Sequence, residues 1–356
     1  MSAPTAGHRE VRLLPGLRPG YRQSLLSVQG LQKTFVTGRS GPFGRRRQAL
    51  RVVDGVSFDI ARGETFGLVG ESGCGKSTVA RCILRLIEPT AGRVVFDGID
   101  LGGLARGDLR KLRRRMQIVF QDPFASLDPR MTAQAIVDEP LVIHGIRDRA
   151  ERAQRVQEIL ELVGITDEQL GRRPHEFSGG HRQRIGLARA LALHPDFVVL
   201  DEPVSALDVS IQAQVLNLLR SLQERLRLTY LFIVHDLTIA EYFCDRLAVL
   251  YLGRVMELAD RETLFREPLH PYTIALLSAV PLPDPHGERW RQRIIITGEI
   301  APQSEAQRGC RFRSRCPVGR DRETCRTIEP PLEEKAPGHW VACHFAGELT
   351  RAGRQG

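Results

Sequence analysis

Short apolar runs alternate with longer stretches of helical spacing along most of the chain. Unbroken apolar runs, which indicate strands buried on both faces of a sheet, occupy residues 65–69, 197–200 and 230–234. Apolar side chains recur at helical spacing in predicted helices at 76–87, 179–192 and 209–225. Further strands are predicted at 25–35, 52–60, 92–96 and 117–120, and a mostly helical stretch at 132–170. Strands that alternate with helices predict an α/β fold with a parallel-sheet core.

These elements predict four segments of chain. A tail at 1–24, whose first twenty residues are rich in Gly, Pro and Arg, is predicted to be disordered. The main domain is predicted at 25–258, with a helical insert at about 125–178 that separates two halves of the sheet core. Prolines mark a linker with C-terminal helices at 259–299, and a small Cys-rich module is predicted at 300–356.

Composition narrows the class of protein. The 356 residues are 42% hydrophobic and 26% charged, which is ordinary for a soluble globular protein. No apolar run approaches the roughly 18 residues that span a bilayer, and residues 1–20 lack a signal-peptide core, so a cytosolic protein is expected. The net charge of +9 indicates solvated basic faces, or attraction to anionic lipid. Basic residues do not alternate with aromatics, which argues against a single-strand nucleic-acid platform.

A glycine-rich loop follows the predicted strand at 65–69 and opens the next helix. Its sequence, Gly70-Glu-Ser-Gly-Cys-Gly-Lys-Ser77, fits the phosphate-loop pattern G-x-x-x-x-G-K-[ST] at every defined position. Backbone N–H groups of such a loop point at phosphate, Lys76 adds a charge at the β- and γ-phosphates, and Ser77 ligates Mg²⁺. The predicted ATP-binding residues are Gly70, Glu71, Ser72, Gly73, Cys74, Gly75, Lys76, Ser77 and Thr78.

An acidic pair ends a buried strand in Phe197-Val-Val-Leu-Asp201-Glu202. Alone, these acids are as consistent with a capped strand end as with catalysis. Beside a phosphate loop, Asp201 is expected to hold Mg²⁺, directly or through water, and Glu202 to orient or deprotonate the attacking water.

A second helix begins with a segment suited to anions, Phe177-Ser-Gly-Gly-His181. Because the chain already has one phosphate loop, this segment implies a second nucleotide. It resembles the signature motif of ABC ATPases, whose usual form is Leu-Ser-Gly-Gly-Gln. The resemblance implies that Ser178, Gly179 and Gly180 contact the nucleotide of an opposite subunit. Phe177 replaces Leu, and His181 replaces Gln, which changes the side-chain contact at that position.

Other positions match the same family in order and spacing, although a lone Gln, His or Phe is often structural. The resemblance implies a catalytic role for Gln121 at Mg²⁺ and water, and for His235 at the γ-phosphate. It implies that Phe35 stacks on adenine and that Asp208 crosses a dimer interface. It covers about 25–258 and implies a P-loop NTPase (RecA-like) core with an antiparallel β-subdomain and a helical insert.

A closer resemblance, to the ATPase subunits of di- and oligopeptide importers, rests on residues 121–130, 270–281, 309–317 and 339–344. It implies two integral membrane permeases, a second ATPase subunit that is a different chain, an extracytoplasmic solute-binding protein, and a peripheral place at the cytoplasmic membrane face. Nickel, glutathione and similar solutes are alternative substrates. A non-transport ABC ATPase acting on nucleic acid or ribosomes is the alternative class, although the chain has neither a heptad run nor a second cassette. A P-loop kinase gives no role to Ser178 or His235.

Four cysteines in the C-terminal part are spaced C-x5-C-x8-C-x17-C: Cys310, Cys316, Cys325 and Cys343. Four thiolates suit tetrahedral zinc or an iron–sulfur cluster, and reduced free thiols are the plain alternative. Four arginines surround the first two cysteines, and their positive charge is expected to lower the pKa values of the thiols: Arg308, Arg311, Arg313 and Arg315. The importer resemblance favours a [4Fe–4S] cluster over zinc, in a structural or regulatory role, beside ATP and Mg²⁺ as the reactive cofactors.

Overall fold

The computed structural model describes residues 24–40, 46–279 and 308–349. The disordered tail predicted at 1–24 lies outside these ranges except for Ser24. Residues 280–299 of the predicted linker, and residues 300–307 and 350–356 of the predicted Cys-rich module, also lie outside them. No helix of the described segments is long and apolar enough to cross a membrane.

The central sheet has a parallel core, as the apolar runs predicted. Strand β3 (Thr65–Val69) pairs in parallel with β8 (Thr229–Val234) on one side and with β9 (Arg246–Tyr251) on the other. Beyond β8, strands β7 (Phe197–Asp201) and β6 (Met116–Val119) continue the sheet in parallel. Every residue of β3, β7 and β8 is buried, because helices cover both faces.

A second sheet, entirely antiparallel, corresponds to the predicted β-subdomain. Its strand order is β2-β1-β4-β5. Strand β1 extends beyond the predicted 25–35, because it pairs with β2 as far as Ser40 and Arg46. The strands are β1 (Ser24–Ser40), β2 (Arg46–Ala61), β4 (Ala91–Phe96) and β5 (Ile99–Asp100).

Eleven α-helices occur in the described segments. Four of them lie between β6 and β7, and a fifth follows the phosphate loop. The long helical stretch predicted at 132–170 is interrupted, because Gly145 adopts φ +82° and Asp148 caps a new helix through its carboxylate. The helices are α1 (Lys76–Ile83), α2 (Arg106–Leu112), α3 (Pro123–Ser126), α4 (Ala133–Ile143), α5 (Arg149–Leu162), α6 (Gly179–Leu191), α7 (Val209–Leu226), α8 (Leu237–Phe243), α9 (Arg261–Arg266), α10 (Pro271–Ser278) and α11 (Glu323–Thr327).

The described C-terminal part extends the central sheet, so the structure does not support the separate Cys-rich module predicted from the sequence. Strand β10 (Arg254–Asp260) pairs with β9 and also with β12 (His339–Val341), beside which lies β11 (Glu333–Ala336). Phe312 and Cys316 belong to the same apolar core as β7 and β8. The predicted boundary at residue 258 consequently falls inside β10, in the middle of one continuous sheet.

A buried carboxylate fastens this C-terminal part to the core. Glu257 of β10 is fully buried and accepts hydrogen bonds from the backbone N–H groups of Leu269 and His270, at 2.7 and 3.1 Å. Its Oε1 also lies 2.6 Å from Nε2 of His339 in β12. One side chain therefore joins β10, β12 and the start of α10, and it satisfies the need of a buried acid for partners.

Candidate functional site

The phosphate loop connects the end of β3 to the start of α1 and approaches its neighbours closely. Gly70 and Gly75 have φ of +151° and +107°, in the region that favours glycine. A Cβ atom on Gly70 would lie 2.2 Å from the carbonyl oxygen of Leu250, and one on Gly75 would lie 2.6 Å from that of Val52. The two defined glycines are therefore required by both conformation and space.

Lys76 lies inside the loop, and its side chain is buried. Its Nζ donates hydrogen bonds to the carbonyl oxygens of Gly70 and Glu71, at 2.7 and 3.0 Å. The start of α1 adds the positive end of the helix dipole at the same place. Ser72 and Gly73 are exposed, Thr78 is half-buried, and burial raises the pKa of the Cys74 thiol. The charge of Lys76 and the positive end of α1 thus lie together at a place suited to an anion.

Two oxygen ligands suited to Mg²⁺ meet beside the loop. Ser77 Oγ donates a hydrogen bond of 2.9 Å to Oδ1 of Asp201, which ends strand β7. Burial raises the pKa of Asp201. A hydroxyl and a carboxylate are the hard oxygen donors that Mg²⁺ prefers, so these residues fit the ion.

The three predicted catalytic side chains come together. Gln121 Nε2 donates a hydrogen bond of 2.9 Å to Oε2 of Glu202, and His235 Nδ1 lies 3.3 Å from the same oxygen. Glu202 has φ +49°, a left-handed conformation that a non-glycine residue adopts at some cost. Its backbone N–H donates to the carbonyl oxygen of Ile233 in β8, which fixes the carboxylate beside the end of the sheet.

The signature segment lies at the start of α6. Ser178 caps the helix, and its Oγ accepts from the backbone N–H of His181 at 3.4 Å and lies 2.7 Å from Nδ1 of the same histidine. A Cβ atom on Gly180 would lie 2.7 Å from Cγ2 of Ile211, so α6 needs glycine to pack on α7. The imidazole that replaces the usual glutamine therefore hydrogen-bonds within the motif itself. Gly179 lies beside Leu207.

The remaining two family positions lie on other elements. Asp208 is exposed and precedes α7, without capping it through its side chain. Phe35 is half-buried on β1, and the ammonium of Lys33 lies 5.0 Å from the centre of its ring. Their predicted roles, at a dimer interface and on adenine, stay predictions.

The four C-terminal cysteines line one small cavity. Sγ of Cys316 accepts a hydrogen bond of 3.2 Å from the backbone N–H of Gly319. A Cβ atom on Gly319 would lie 2.7 Å from Sγ of Cys325 and 3.6 Å from Sγ of Cys316. As placed, no group of three or more His, Cys, Asp or Glu side chains in the described segments is arranged to hold a metal ion.

Arginine charge acts on two of these thiols in the expected direction, since Arg313 and Arg322 lower the pKa of Cys325 and Arg322 lowers that of Cys316, but burial outweighs it. Burial raises the pKa of all four, to about 12 for Cys310 and about 11 for Cys343. Arg311 and Arg315 point away from the thiols, to the carboxylates of Asp54 and Glu71. No sequence pattern indicates these two ion pairs, because the partners lie more than 240 residues apart along the chain.

Comparison with known proteins identifies the family. Residues 53–205 match the family model described as ABC transporter, and residues 256–325 match the model for the oligopeptide/dipeptide transporter C-terminal region. A Brucella ovis protein named for ATP binding in peptide import is 57% identical over 90% of this chain and 97% of its own length. The oligopeptide transport ATP-binding protein AppF of Bacillus subtilis is 49% identical over 91% of this chain and 98% of its own. The chain is an ABC transporter ATP-binding subunit.

Solved structures agree with this assignment to the ABC ATPases. The cassette MJ0796, in a dimeric post-hydrolysis state with ADP and phosphate, is 30% identical, with a TM-score of 0.59 over 66% of this chain and 98% of its own. The protein cbiO1 of Clostridium perfringens, part of an ABC transporter complex, is 27% identical, with a TM-score of 0.59 over 68% of this chain and 91% of its own. The resemblance drawn from the motifs is confirmed, and these relatives give no support to action on nucleic acid.

Proposed function

We propose that this ABC ATPase binds and hydrolyses ATP at the phosphate loop and energises the import of di- or oligopeptides or a related solute. The observation that carries the ATP site is the convergence of Gln121, Glu202 and His235 beside the Ser77–Asp201 pair. The peptide assignment is supported by the names of the relatives and by the match of residues 256–325 to a peptide-transporter model.

Each side chain has one task in the proposed reaction. Glu202 holds and deprotonates the attacking water, while Gln121 and His235 orient it and the γ-phosphate. Lys76 stabilises the charge on the transferring phosphoryl group. Mg²⁺, when bound by Ser77 and Asp201 with Gln121 nearby, neutralises phosphate charge.

The second half of each ATP site comes from another subunit. Ser178, which is exposed, and Gly179 and Gly180, which are half-buried, form the helix start that in an ABC dimer would close over the nucleotide of the partner. Asp208, which is exposed, is proposed to lie at the same interface. ATP binding closes the dimer, and hydrolysis opens it, because the signature segment of the partner contacts the γ-phosphate only in the closed state. We infer a partner ATPase of different sequence, so that His181 affects one of the two sites.

The family places the chain at the cytoplasmic face of the membrane as a peripheral subunit. Its partners there are two integral membrane permeases, reached through the helical insert and the loop of Gln121. An extracytoplasmic solute-binding protein delivers the solute. We propose no nucleic-acid partner for this chain.

Dependence on assembly tests the proposed function. We expect the isolated chain to hydrolyse ATP about 10²-fold more slowly than the complex with its partner ATPase and permeases, because one set of charge-stabilising donors is missing. Addition of a peptide-loaded solute-binding protein should raise turnover further. ATP turnover in reconstituted membranes, with and without peptide, measures both effects. Full activity of a strict monomer, or indifference to peptide, would contradict the proposal.

The four cysteines are proposed to hold a [4Fe–4S] cluster, with zinc as the second candidate. Two observations support this: the four cysteines share one cavity, and the backbone N–H of Gly319 donates to Sγ of Cys316. Both features are usual around metal-bound thiolates. A metal would reverse the raised thiol pKa values, because its charge favours the thiolate. The cluster would bind the segments around Cys310, Cys316, Cys325 and Cys343 together, in a structural or regulatory role.

Metal analysis after anaerobic purification tests this assignment. We expect a brown protein with about four iron and four sulfide per chain, as four-cysteine ligation of a [4Fe–4S] cluster requires. Cys325→Ser should lose the colour and most of the iron, whereas Cys82→Ser, at a cysteine buried elsewhere in the core, should keep both. Stoichiometric zinc would favour the second candidate, and absence of both metals would defeat the proposal.

A further inference from the structure

A C-terminal arginine reaches the phosphate loop. Arg315 makes two parallel hydrogen bonds to the carboxylate of Glu71, from Nη1 to Oε2 at 2.8 Å and from Nη2 to Oε1 at 3.0 Å. The two side chains are only 10% and 24% exposed. Such a two-pronged pair between guanidinium and carboxylate fixes orientation as well as distance. The side chain of Glu71, a loop residue, is therefore turned toward the C-terminal part of the chain.

The backbone of Glu71 is held on both sides. Its N–H donates a hydrogen bond of 3.1 Å to the hydroxyl of Tyr272 in α10. Its carbonyl oxygen accepts from Nζ of Lys76, the loop lysine. Glu71 is therefore the point at which contacts from the C-terminal part of the chain meet the group that binds phosphate.

Aromatic side chains pack beside Arg315. Its guanidinium carbon lies 5.8 Å from the ring centre of Tyr251. Tyr251, Tyr272 and Phe312 pack against one another with ring centres 4.8 to 5.4 Å apart. All three rings are almost completely buried. Arg315 therefore approaches Glu71 from a rigid base, so little side-chain freedom remains to be lost in the contact.

A second arginine, four residues earlier in the chain, contacts residues next to the loop. Arg311 forms an ion pair with the buried Asp54 and donates a hydrogen bond to the carbonyl oxygen of Leu252. The next residue, Gly253, donates its N–H to the carbonyl oxygen of Cys74 in the phosphate loop, at 2.8 Å. The segment 311–315 thus touches the loop directly through one arginine and indirectly through the other.

We propose that Arg315 is a positioning residue for ATP binding, which holds the phosphate loop in its phosphate-wrapping shape through Glu71. The loop must offer its N–H groups in one arrangement, and a loop already held there loses less entropy when the anion arrives. The inference rests on the proposed ATP site and adds to it a support that neither the motif nor the relatives assign.

The test is the affinity of the full chain for ATP. We expect Arg315→Ala to raise the Kd for ATP about tenfold, which equals about 1.4 kcal/mol of binding free energy. Arg315→Lys should recover part of this loss, because lysine restores the charge but not the two-pronged contact. Arg326→Ala is the matched control, since Arg326 lies in the same C-terminal part of the chain, is 58% exposed and forms an ion pair with the exposed Glu323 of its own helix.

Kinetics in the assembled complex separate positioning from general stability. We expect Arg315→Ala to raise the KM for ATP about tenfold and to leave kcat within about twofold, because the cluster around Glu202 is untouched. If Arg315→Ala lowers thermal stability without nucleotide but does not change the KM for ATP, the inference is overturned.

A double-mutant cycle tests whether the effect passes through Glu71. The variant Arg315→Ala/Glu71→Gln should bind ATP no more weakly than Arg315→Ala alone, because both changes remove one interaction. Additive losses would overturn the inference. Should Arg315→Ala fail to fold, Glu71→Gln carries the test alone, since a raised Kd supports the inference and an unchanged Kd defeats it.

Lys76→Ala separates failure of this inference from failure of the proposed site. If Lys76→Ala leaves ATP affinity unchanged, the site itself is wrongly assigned, and the inference falls with it. If Lys76→Ala weakens ATP binding but Arg315→Ala matches Arg326→Ala, the site stands and only the role of Arg315 is overturned.

Discussion

Replacement of Glu202 by glutamine is expected to lower ATP turnover of the assembled complex by about 10² to 10⁴, the usual loss when a general base is removed. Glutamine keeps the size of the side chain and its contact with Gln121, but it cannot accept a proton. ATP binding should persist, because the phosphate loop and Asp201 are unchanged. The variant should therefore accumulate as a closed, ATP-bound dimer, which size-exclusion chromatography with ATP detects.

A matched variant separates this effect from loss of charge in general. Glu241→Gln makes the same change on the exposed side of α8 and should retain wild-type turnover. Near-wild-type turnover of Glu202→Gln in the complex would remove Glu202 from the catalytic role. In that case His235, whose Nδ1 lies 3.3 Å from the same carboxylate, would be the next group to test.

Replacement of Lys76 by alanine is expected to weaken ATP binding by about 100-fold. The estimate corresponds to two hydrogen bonds to charged groups of about 1.5 kcal/mol each. The ammonium donates to the carbonyl oxygens of Gly70 and Glu71 in its own loop, which places its charge at the predicted phosphate position. Titration of the chain with ATP and Mg²⁺ measures the change.

Two controls make this result interpretable. Lys111→Ala removes a lysine that is 80% exposed on α2, and it should leave ATP affinity unchanged. Thermal unfolding without nucleotide should show that Lys76→Ala is folded, since the loss of two internal hydrogen bonds also affects stability. A folded Lys76→Ala chain that binds ATP normally would rule out the loop as the ATP site.

The parts of the site that sequence reasoning found are those whose chemistry lies within a few consecutive residues. The phosphate loop is defined by glycines at fixed offsets, and the structure shows why, because Gly70 and Gly75 meet neighbouring carbonyl oxygens. Asp201 and Glu202 are marked by a buried strand that ends in acids. The parallel core was predicted for the same reason, since unbroken apolar runs are typical of strands covered on both faces.

Most of the parts that sequence reasoning missed depend on contacts between distant residues. The apolar run at 247–252, which forms most of β9, is a local signal of the same kind, and it was not among the predicted strands. The pairing of β12 with β10 carries no local signal, because the two strands are about 80 residues apart along the chain. The spacing of cysteines drew attention to Arg315 as a neighbour of thiols, whereas its partner, Glu71, lies 244 residues earlier. No periodicity connects such positions, so only the folded chain shows that they meet.

The pairing of β12 with β10 has a consequence for how this chain can be shortened. Without residues 308–349, β10 would become an uncovered edge with free backbone donors and acceptors, which readily recruits a strand from another molecule. Glu257 would also lose its contact with His339, which would leave a buried carboxyl group with fewer partners. A minimal cassette trimmed to the end of β10 would therefore tend to self-associate. In the longer chain, residues 308–349 prevent this aggregation because β12 covers the edge of β10.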